Sequence, residues 1–82
     1  MTKIRPSLNI VGENLRRLRK AKQMRQDDIV AQLNIREIHI SRSTYSKFEI
    51  GYMNIKDSEI IALAEIFETE INDFFVMQKD KV

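Results

Sequence analysis

Apolar side chains along this chain recur mostly at three- and four-residue intervals, which places them on one face of an α-helix. Val11, Leu15 and Leu18 follow this spacing, and the arginines between and after them fall on other faces. The pattern predicts a first helix over about residues 10–22. Strict alternation of apolar and polar residues, the pattern of a half-buried strand, is nearly absent. The hydrophobic pattern therefore predicts an all-α fold.

Start and stop signals place a second and a third helix. The second opens near Gln26 and has two acids in its first turn, where the helix dipole favours negative charge. The third covers about residues 41–50, because Ser41 can cap its first turn and Gly51 suits the left-handed residue that often follows a helix. Residues 34–40, between these helices, include β-branched side chains but have no second strand to pair with.

The same signals place two more helices nearer the C-terminus. Asp57 is the expected N-cap of a fourth helix, and a short fifth helix covers about residues 71–76. The chain is expected to form one compact five-helix domain over residues 10–77, with an N-terminal arm of residues 1–9 before it and a frayed tail of residues 78–82 after it.

The apolar faces of these helices supply the expected core. Its expected members are Leu15, Leu18, Met24, Ile29, Leu33, Tyr45, Phe48, Ile60, Ile61, Leu63, Ala64, Phe67, Ile71 and Phe74. Phe75, Val76 and Met77 exceed what a single apolar stripe needs, and they could either finish this core or form a dimer surface.

Composition removes several classes of site. The 82 residues include no cysteine, which excludes disulfides, thiolate zinc sites and a cysteine nucleophile. The single histidine, His39, excludes a site with two histidine ligands and is itself expected in an exposed turn. Paired carboxylates, Ser-His-Asp sets and phosphate-binding glycine loops are missing, so neither an enzyme nor a metal or other cofactor is expected. No apolar run approaches the roughly 18 residues of a membrane span, and a cytoplasmic protein is expected.

The net charge of +2 conceals an uneven distribution. Residues 1–25 carry eight Lys or Arg against one acid, whereas residues 26–82 carry six against eleven. A basic first third is a candidate surface for nucleic acid or an anionic membrane, and it is equally the pattern of a solvated helix face. Charge alone does not separate these two interpretations.

Motifs along the chain resemble one family. The motifs are VGxxLxxLR from Val11, QDDI from Gln26, SRSTYSKFExG from Ser41 and DxEIxxLA from Asp57, followed by Phe74. Together with their helical context, these runs resemble the phage-repressor/Cro-like (Xre-type) helix-turn-helix family over about residues 10–75. The resemblance implies that the second and third helices form the helix-turn-helix motif.

The chain departs from the family pattern at three places. Several extra residues lie between Leu33 and Ser41, so the resemblance is to a long-turn variant, in which residues 34–39 form a lengthened turn or an added turn of the second helix. Val30 stands where a small residue is usual, and Arg25 stands where a capping Ser, Thr or Asn is usual. These departures bear on the docking angle of the helices rather than on the fold.

The resemblance implies that the third helix lies in the major groove of DNA with its first residues toward the base edges. Carried over position by position, Arg42 and Ser43 fall at the leading base-reading positions, Lys47 lies one turn later, and Thr44 is a secondary candidate. Arg and Lys can donate to guanine O6 and N7, and the Thr methyl can meet a thymine methyl. The alternative for Arg42 and Lys47 is an ordinary solvated helix face.

Other residues are expected to hold the DNA backbone. Gln26 matches a family glutamine that binds a phosphate and braces the reading helix, at a helix N-terminus that itself favours anions. Arg25 could add a phosphate contact, and Ser41 could both cap its helix and donate to phosphate. Tyr52 and Arg17 are weaker candidates for backbone contacts.

Arg19 and Glu49 match a family ion pair that joins the first helix to the end of the third. Such a pair would orient the reading helix and would not touch DNA. Arg19 is therefore left out of the basic surface that the charge distribution suggested.

The resemblance implies a sequence-specific, double-stranded DNA-binding regulator of transcription: a dimeric repressor of bacterial or phage origin that binds a palindromic operator. A homodimer through Phe75, Val76 and Met77 is one way to form it. The alternative is a protein-interaction module with the same fold, such as an antitoxin-like protein, an anti-repressor or a bridging factor. Selective binding of DNA sequences would separate the two.

Overall fold

The computed structural model of the chain describes residues 6–76, with side chains from residue 10 onward. In this part of the chain the elements are α1 (Pro6–Ala21), α2 (Gln26–Ile35), α3 (Arg42–Glu49), α4 (Asp57–Phe67) and a 3₁₀ helix (Ile71–Phe75). The described residues contain no strand, so the all-α prediction is confirmed. The fifth predicted helix is a 3₁₀ helix, and the α-helices therefore number four in the described part of the chain.

The first helix begins earlier than its apolar spacing predicted. It starts at Pro6, so residues 6–9, expected in the N-terminal arm, form its first turn. Proline suits the first position of a helix because its missing N–H would have no partner there. Residues 1–5, Met77 and the expected tail at residues 78–82 lie outside the described residues.

Acids at the third helical position cap α2 and α4. Asp28 accepts a hydrogen bond from the backbone N–H of Arg25 at 2.8 Å, and the Arg25 side chain itself makes no capping hydrogen bond. Glu59 does the same for the N–H of Lys56 at 2.7 Å. Lys56 is therefore the N-cap of α4, and the prediction of Asp57 as the cap is wrong, because Asp57 is already the first helical residue.

The ends of α3 follow the sequence prediction. The Ser41 hydroxyl accepts a hydrogen bond from the backbone N–H of Thr44 at 3.1 Å, so the predicted cap is confirmed. Gly51, after the helix, has a φ of 74°, the left-handed conformation that glycine adopts without steric cost.

The segment between α2 and α3 combines the two predicted possibilities. The helix continues through Ile35, and residues 36–41 then form a lengthened turn. Glu37 takes a left-handed φ of 67°, and the N–H of Ile38 donates to the carbonyl of Leu33 at 2.9 Å, which ends the helix. The extra residues are thus tied to the domain, since Ile38 and Ile40 pack partly against the core.

The core lies between the helices: α1 packs on α3 and on the 3₁₀ helix, and α2 packs on α3 and α4. Its buried apolar members are Val11, Leu15, Ile29, Leu33, Tyr45, Phe48, Ala62, Leu63, Ala64, Phe67 and Phe74, and Leu18, Met24 and Ile60 pack partly against them. The core prediction is wrong for Ile61 and Ile71, which are 51% and 42% exposed. On α4, Leu63, Ala64 and Phe67 are buried as expected, and Ala62 is buried in place of Ile61.

Gly12 lets α1 approach the C-terminal end of α3. A Cβ atom added to Gly12 would lie 2.5 Å from the backbone oxygen of Glu49 and 2.6 Å from that of Phe48. Backbone atoms cannot swing away as a side chain can, so this contact requires glycine. The C-terminal end of α3 is thereby held close to α1.

Candidate nucleic-acid interface

The exposed side of α3 forms one continuous stripe. At about 100° per residue, positions 42, 43, 46, 47 and 50 fall on the same side of this helix. Together with one residue of α2 they line an open groove, and its lining residues are Gln26, Arg42, Ser43, Ser46, Lys47 and Ile50. Three of the four predicted base-reading residues therefore share one surface with the predicted phosphate-binding glutamine.

The structure places Thr44 outside this groove. Its backbone N–H and its hydroxyl both hydrogen-bond to the Ser41 hydroxyl, so it belongs to the cap of α3. Ser46 and Ile50 lie in the groove instead, and the sequence interpretation missed both. The four-residue steps from Arg42 through Ser46 to Ile50 were the signal that could have found them.

Gln26 connects the start of α2 to the end of α3. Its amide nitrogen donates to the Glu49 carboxylate at 3.1 Å, and the same side chain lines the groove. The first turn of α2 presents backbone N–H groups beside it, and such groups attract anions. The position is therefore suited both to bracing α3 and to meeting a phosphate.

Arg19 and Glu49 form an ion pair with two parallel hydrogen bonds. Arg19 Nε lies 2.7 Å and Nη2 lies 3.0 Å from the two carboxylate oxygens of Glu49. The side chains are only 12% and 3% exposed, and Arg19 also donates to the carbonyl of Met24 at 3.0 Å. This geometry joins α1 to the last residue of α3 and keeps Arg19 away from the groove.

The electrostatics of this pair favour its charged form. Burial alone would raise the pKa of Glu49, but hydrogen bonds from Arg19 and Gln26 outweigh burial and hold that pKa below its ordinary value. The hydrogen bond to Glu49 raises the pKa of Arg19 despite burial. Tyr45 lies beside the pair, and burial together with the Glu49 charge raises the pKa of its phenol. In the described part of the chain, the Tyr45 hydroxyl is the one buried side-chain polar group without a hydrogen bond.

Arg42, the leading base-reading candidate, has an acidic neighbour that the sequence interpretation did not pair with it. Its Nε lies 3.7 Å from Asp27 Oδ1, and both side chains are about two-thirds exposed. Arg25 lies on the same side and is 82% exposed, with its Nε 3.8 Å from Asp28. The beginnings of α2 and α3 thus gather two exposed arginines within reach of a ligand.

Lys47 and Tyr52 come together at the other end of the groove. The Lys47 ammonium lies 5.9 Å from the centre of the Tyr52 ring, a distance at which a cation is attracted to an aromatic face. Tyr52 is 72% exposed, so its hydroxyl is available to solvent. The pairing gives the long Lys47 side chain a preferred direction.

Arg17 does not join this surface. It lies two residues from Arg19, which places it about 200° around α1 from the side that faces α3. Its guanidinium donates to Asn14 Oδ1 at 3.1 Å, and Asn14 donates to the carbonyls of Phe74 and Val76 at 2.8 Å each. The structure therefore places Arg17 beside the C-terminal segment and not beside the groove of α3.

Two further classes of site were sought within residues 6–76. No group of three or more His, Cys, Asp or Glu side chains there could hold a metal ion. None of the helices in that range combines the length and the apolar character that a membrane span requires.

Comparisons with known proteins identify the family. The family model described as a helix-turn-helix domain matches residues 12–78. Among solved structures, the chain is similar to the restriction-modification controller protein C.AhdI from Aeromonas hydrophila, with a TM-score of 0.72 and 28% identity, over 83% of this chain and 96% of that one. Comparison with curated protein sequences gives no significant match. The chain belongs to the Xre-type helix-turn-helix family of DNA-binding transcription regulators.

Proposed function

We propose that this chain is a dimeric repressor that binds a specific sequence of double-stranded DNA and reads it in the major groove with α3. The groove along α3 carries the proposal, because it combines Arg42 and Lys47 with Gln26 at the start of α2. Such a surface offers hydrogen-bond donors to guanine edges and a side chain that can bind a phosphate, all on one side of the molecule. The similarity to C.AhdI, a restriction-modification controller protein, supports the same class of regulator.

In this proposal the groove residues divide into two groups. Arg42, Ser43 and Lys47 contact base edges, with Ser46 and Ile50 beside them on the same stripe. A second group contacts the DNA backbone. Its members are Arg25, Gln26, Ser41 and Tyr52. The first group would determine sequence preference, and the second would determine affinity for any duplex and its dependence on salt.

Exposed apolar side chains at the C-terminal end support a homodimer. Ile71, Phe75 and Val76 are between 42% and 47% exposed, although Phe74 beside them is fully buried. Asn14 holds the backbone of this segment through its bonds to two carbonyls, so the patch is presented in a defined position. A symmetric dimer would place its two α3 helices on half-sites about 34 Å apart or at a multiple of that distance.

The experiment that tests this function is selection of bound sequences from a random duplex pool at physiological salt. A palindromic consensus is expected, and placing that sequence over a promoter should make transcription fall when the protein is added. Absence of any enriched sequence would contradict the proposal and favour a protein-interaction module with the same fold.

A further inference from the structure

Asp27 places a carboxylate among the cations of the proposed DNA surface. It lines a cleft between the first turns of α2 and α3, together with Arg19, Arg25, Gln26 and Arg42. A carboxylate at this position repels the phosphates that the neighbouring arginines attract. It therefore lowers the general affinity for DNA, and a requirement for capping does not account for it, since Asp28 in the same turn already caps α2.

The position of Asp27 relative to Arg42 indicates what it does. Asp27 is the second residue of α2 and Arg42 is the first residue of α3, so the ion pair crosses between the two helices of the motif. The contact of 3.7 Å is made to Nε of the guanidinium. The two terminal nitrogens of the fork remain able to donate to O6 and N7 of one guanine.

We propose that Asp27 is a positioning residue that makes Arg42 more selective for guanine and weakens binding to unrelated DNA. The inference rests on the proposed function, in which α3 reads base edges. A long arginine that this exposed contact biases toward one direction has less conformational freedom to lose on binding. The carboxylate also competes with DNA phosphates for the guanidinium, which disfavours contacts that carry no sequence information.

The test measures affinity for three duplexes: the selected site, the same site with the guanine read by Arg42 replaced, and a random duplex. Because the pair is exposed, we expect Asp27→Asn to lower discrimination between the first two by about two- to fivefold. The same change should strengthen binding to the random duplex, since one negative charge is removed. In an Arg42→Ala background, Asp27→Asn should leave discrimination unchanged and still strengthen binding to the random duplex.

Asp57→Asn is the matched control. It makes the same change in the first turn of α4, and so repeats any effect of removing an acid from a helix start. It should leave discrimination at the Arg42 position unchanged.

Three results would overturn the inference. If Asp27→Asn strengthens binding to all three duplexes by the same factor, the carboxylate only repels phosphates. If discrimination falls as much in the Arg42→Ala background, Asp27 acts on a base directly. If the unmodified protein selects no sequence, the proposed function fails and this inference fails with it; in the first two cases the proposed function stands.

Discussion

At the scale of single residues, Glu49 determines how α3 is held. It is the last residue of α3, it is 6% exposed, and it accepts hydrogen bonds from Arg19 on α1 and Gln26 on α2. Three helices therefore meet at one carboxylate. A buried ion pair of this kind gives little stability over an apolar alternative, but the loss of one partner leaves a charge buried without compensation.

We expect Glu49→Gln to destabilise the fold by about 3–5 kcal/mol near pH 7, measured by urea unfolding. The pKa of Glu49 is lowered in the folded protein from an ordinary value of 4.5. Its carboxylate thus stabilises the fold fully above that value, and this contribution is lost as the pH falls through the folded pKa. The difference in unfolding free energy between the unmodified protein and Glu49→Gln should narrow below about pH 4.5.

Glu65→Gln is the control for this measurement, because Glu65 pairs with Arg36 at 3.3 Å while it remains 62% exposed. It should cost about 1 kcal/mol or less. An equally large gap between the unmodified protein and Glu49→Gln at pH 7 and at pH 3 would show that the Glu49 charge does not stabilise the fold.

Arg42 and Arg25 should differ in the kind of binding energy they supply. Arg42→Ala should lose about 1–3 kcal/mol on the selected site and relax preference at one base pair, because a bidentate contact to a base is removed. Arg25→Ala should weaken binding to all sequences alike and flatten the salt dependence by about one unit of slope. Titrations of both variants with selected and random duplexes at several salt concentrations measure this, and equal weakening of both duplexes by Arg42→Ala would rule out base reading.

Two residue-scale predictions match contacts in the structure, one made from a capping signal and one from a family position. Ser41 caps α3, and Arg19 pairs with Glu49, as the resemblance implied. The contact of Asp27 with Arg42 depends on how the lengthened turn brings two helix starts together, which no local pattern records. For the same reason, Ser46 and Ile50 were recognised as groove residues only once the exposed side of α3 was known.

At the scale of elements, the packing of α1 on α3 is the contact that sets the position of the motif. Gly12 allows the backbones to touch, and the ion pair between Arg19 and Glu49 lies two turns further along α1. Both contacts fall at the C-terminal end of α3, so they set how closely that end of the helix lies against α1.

We expect Gly12→Ala to destabilise the protein by about 1–3 kcal/mol, because the added methyl would overlap backbone oxygens and force the helices apart. Alanine is otherwise the better helix former, so helix propensity alone predicts the opposite sign. Denaturant unfolding measures the difference. Glu13→Ala, at the neighbouring exposed position, is the control, and a stabilised Gly12→Ala protein would contradict the close approach.

Element boundaries show where periodicity is informative and where it is not. The long amphipathic helices α1 and α4 were identified because their apolar side chains recur over several turns. Five residues cannot separate an α-helix from a 3₁₀ helix, and in the last element Asp73 accepts bonds from the Thr69 hydroxyl and the Glu70 N–H that favour a tight turn. The start of α1 at Pro6 was missed, although Leu8 continues the spacing of Val11 and Leu15 in the sequence and proline suits a first helical position.

At the scale of the whole molecule, the proposed function depends on how two copies would present their α3 helices. The C-terminal patch of Ile71, Phe75 and Val76 lies where Asn14 attaches the segment to α1. Since α1 also packs on α3, a dimer formed through this patch would fix the distance between the α3 grooves of the two copies.

If the proposed dimer forms through this patch, we expect Phe75→Asp to yield a folded monomer, because the charged side chain would be buried in the dimer but can reach solvent in the single chain. Light scattering coupled to size exclusion measures the mass, and DNA titration should show weak binding to the palindrome with no loss for a single half-site. Ile61→Asp, at an exposed apolar position of α4, is the control. A Phe75→Asp protein that remains dimeric would place the interface elsewhere.

The attachment of α3 at Glu49 also has a consequence for the DNA. If α3 reads DNA as proposed, its attachment to α1 and α2 at Glu49 limits how far that end of the helix can move, and the duplex would have to deform to meet it. The energetic cost of bending and twisting DNA differs between base-pair steps, and in the proposed dimer part of that deformation would fall between the two half-sites. The operator should therefore carry a preference at its uncontacted centre, which the protein selects through the stiffness of DNA.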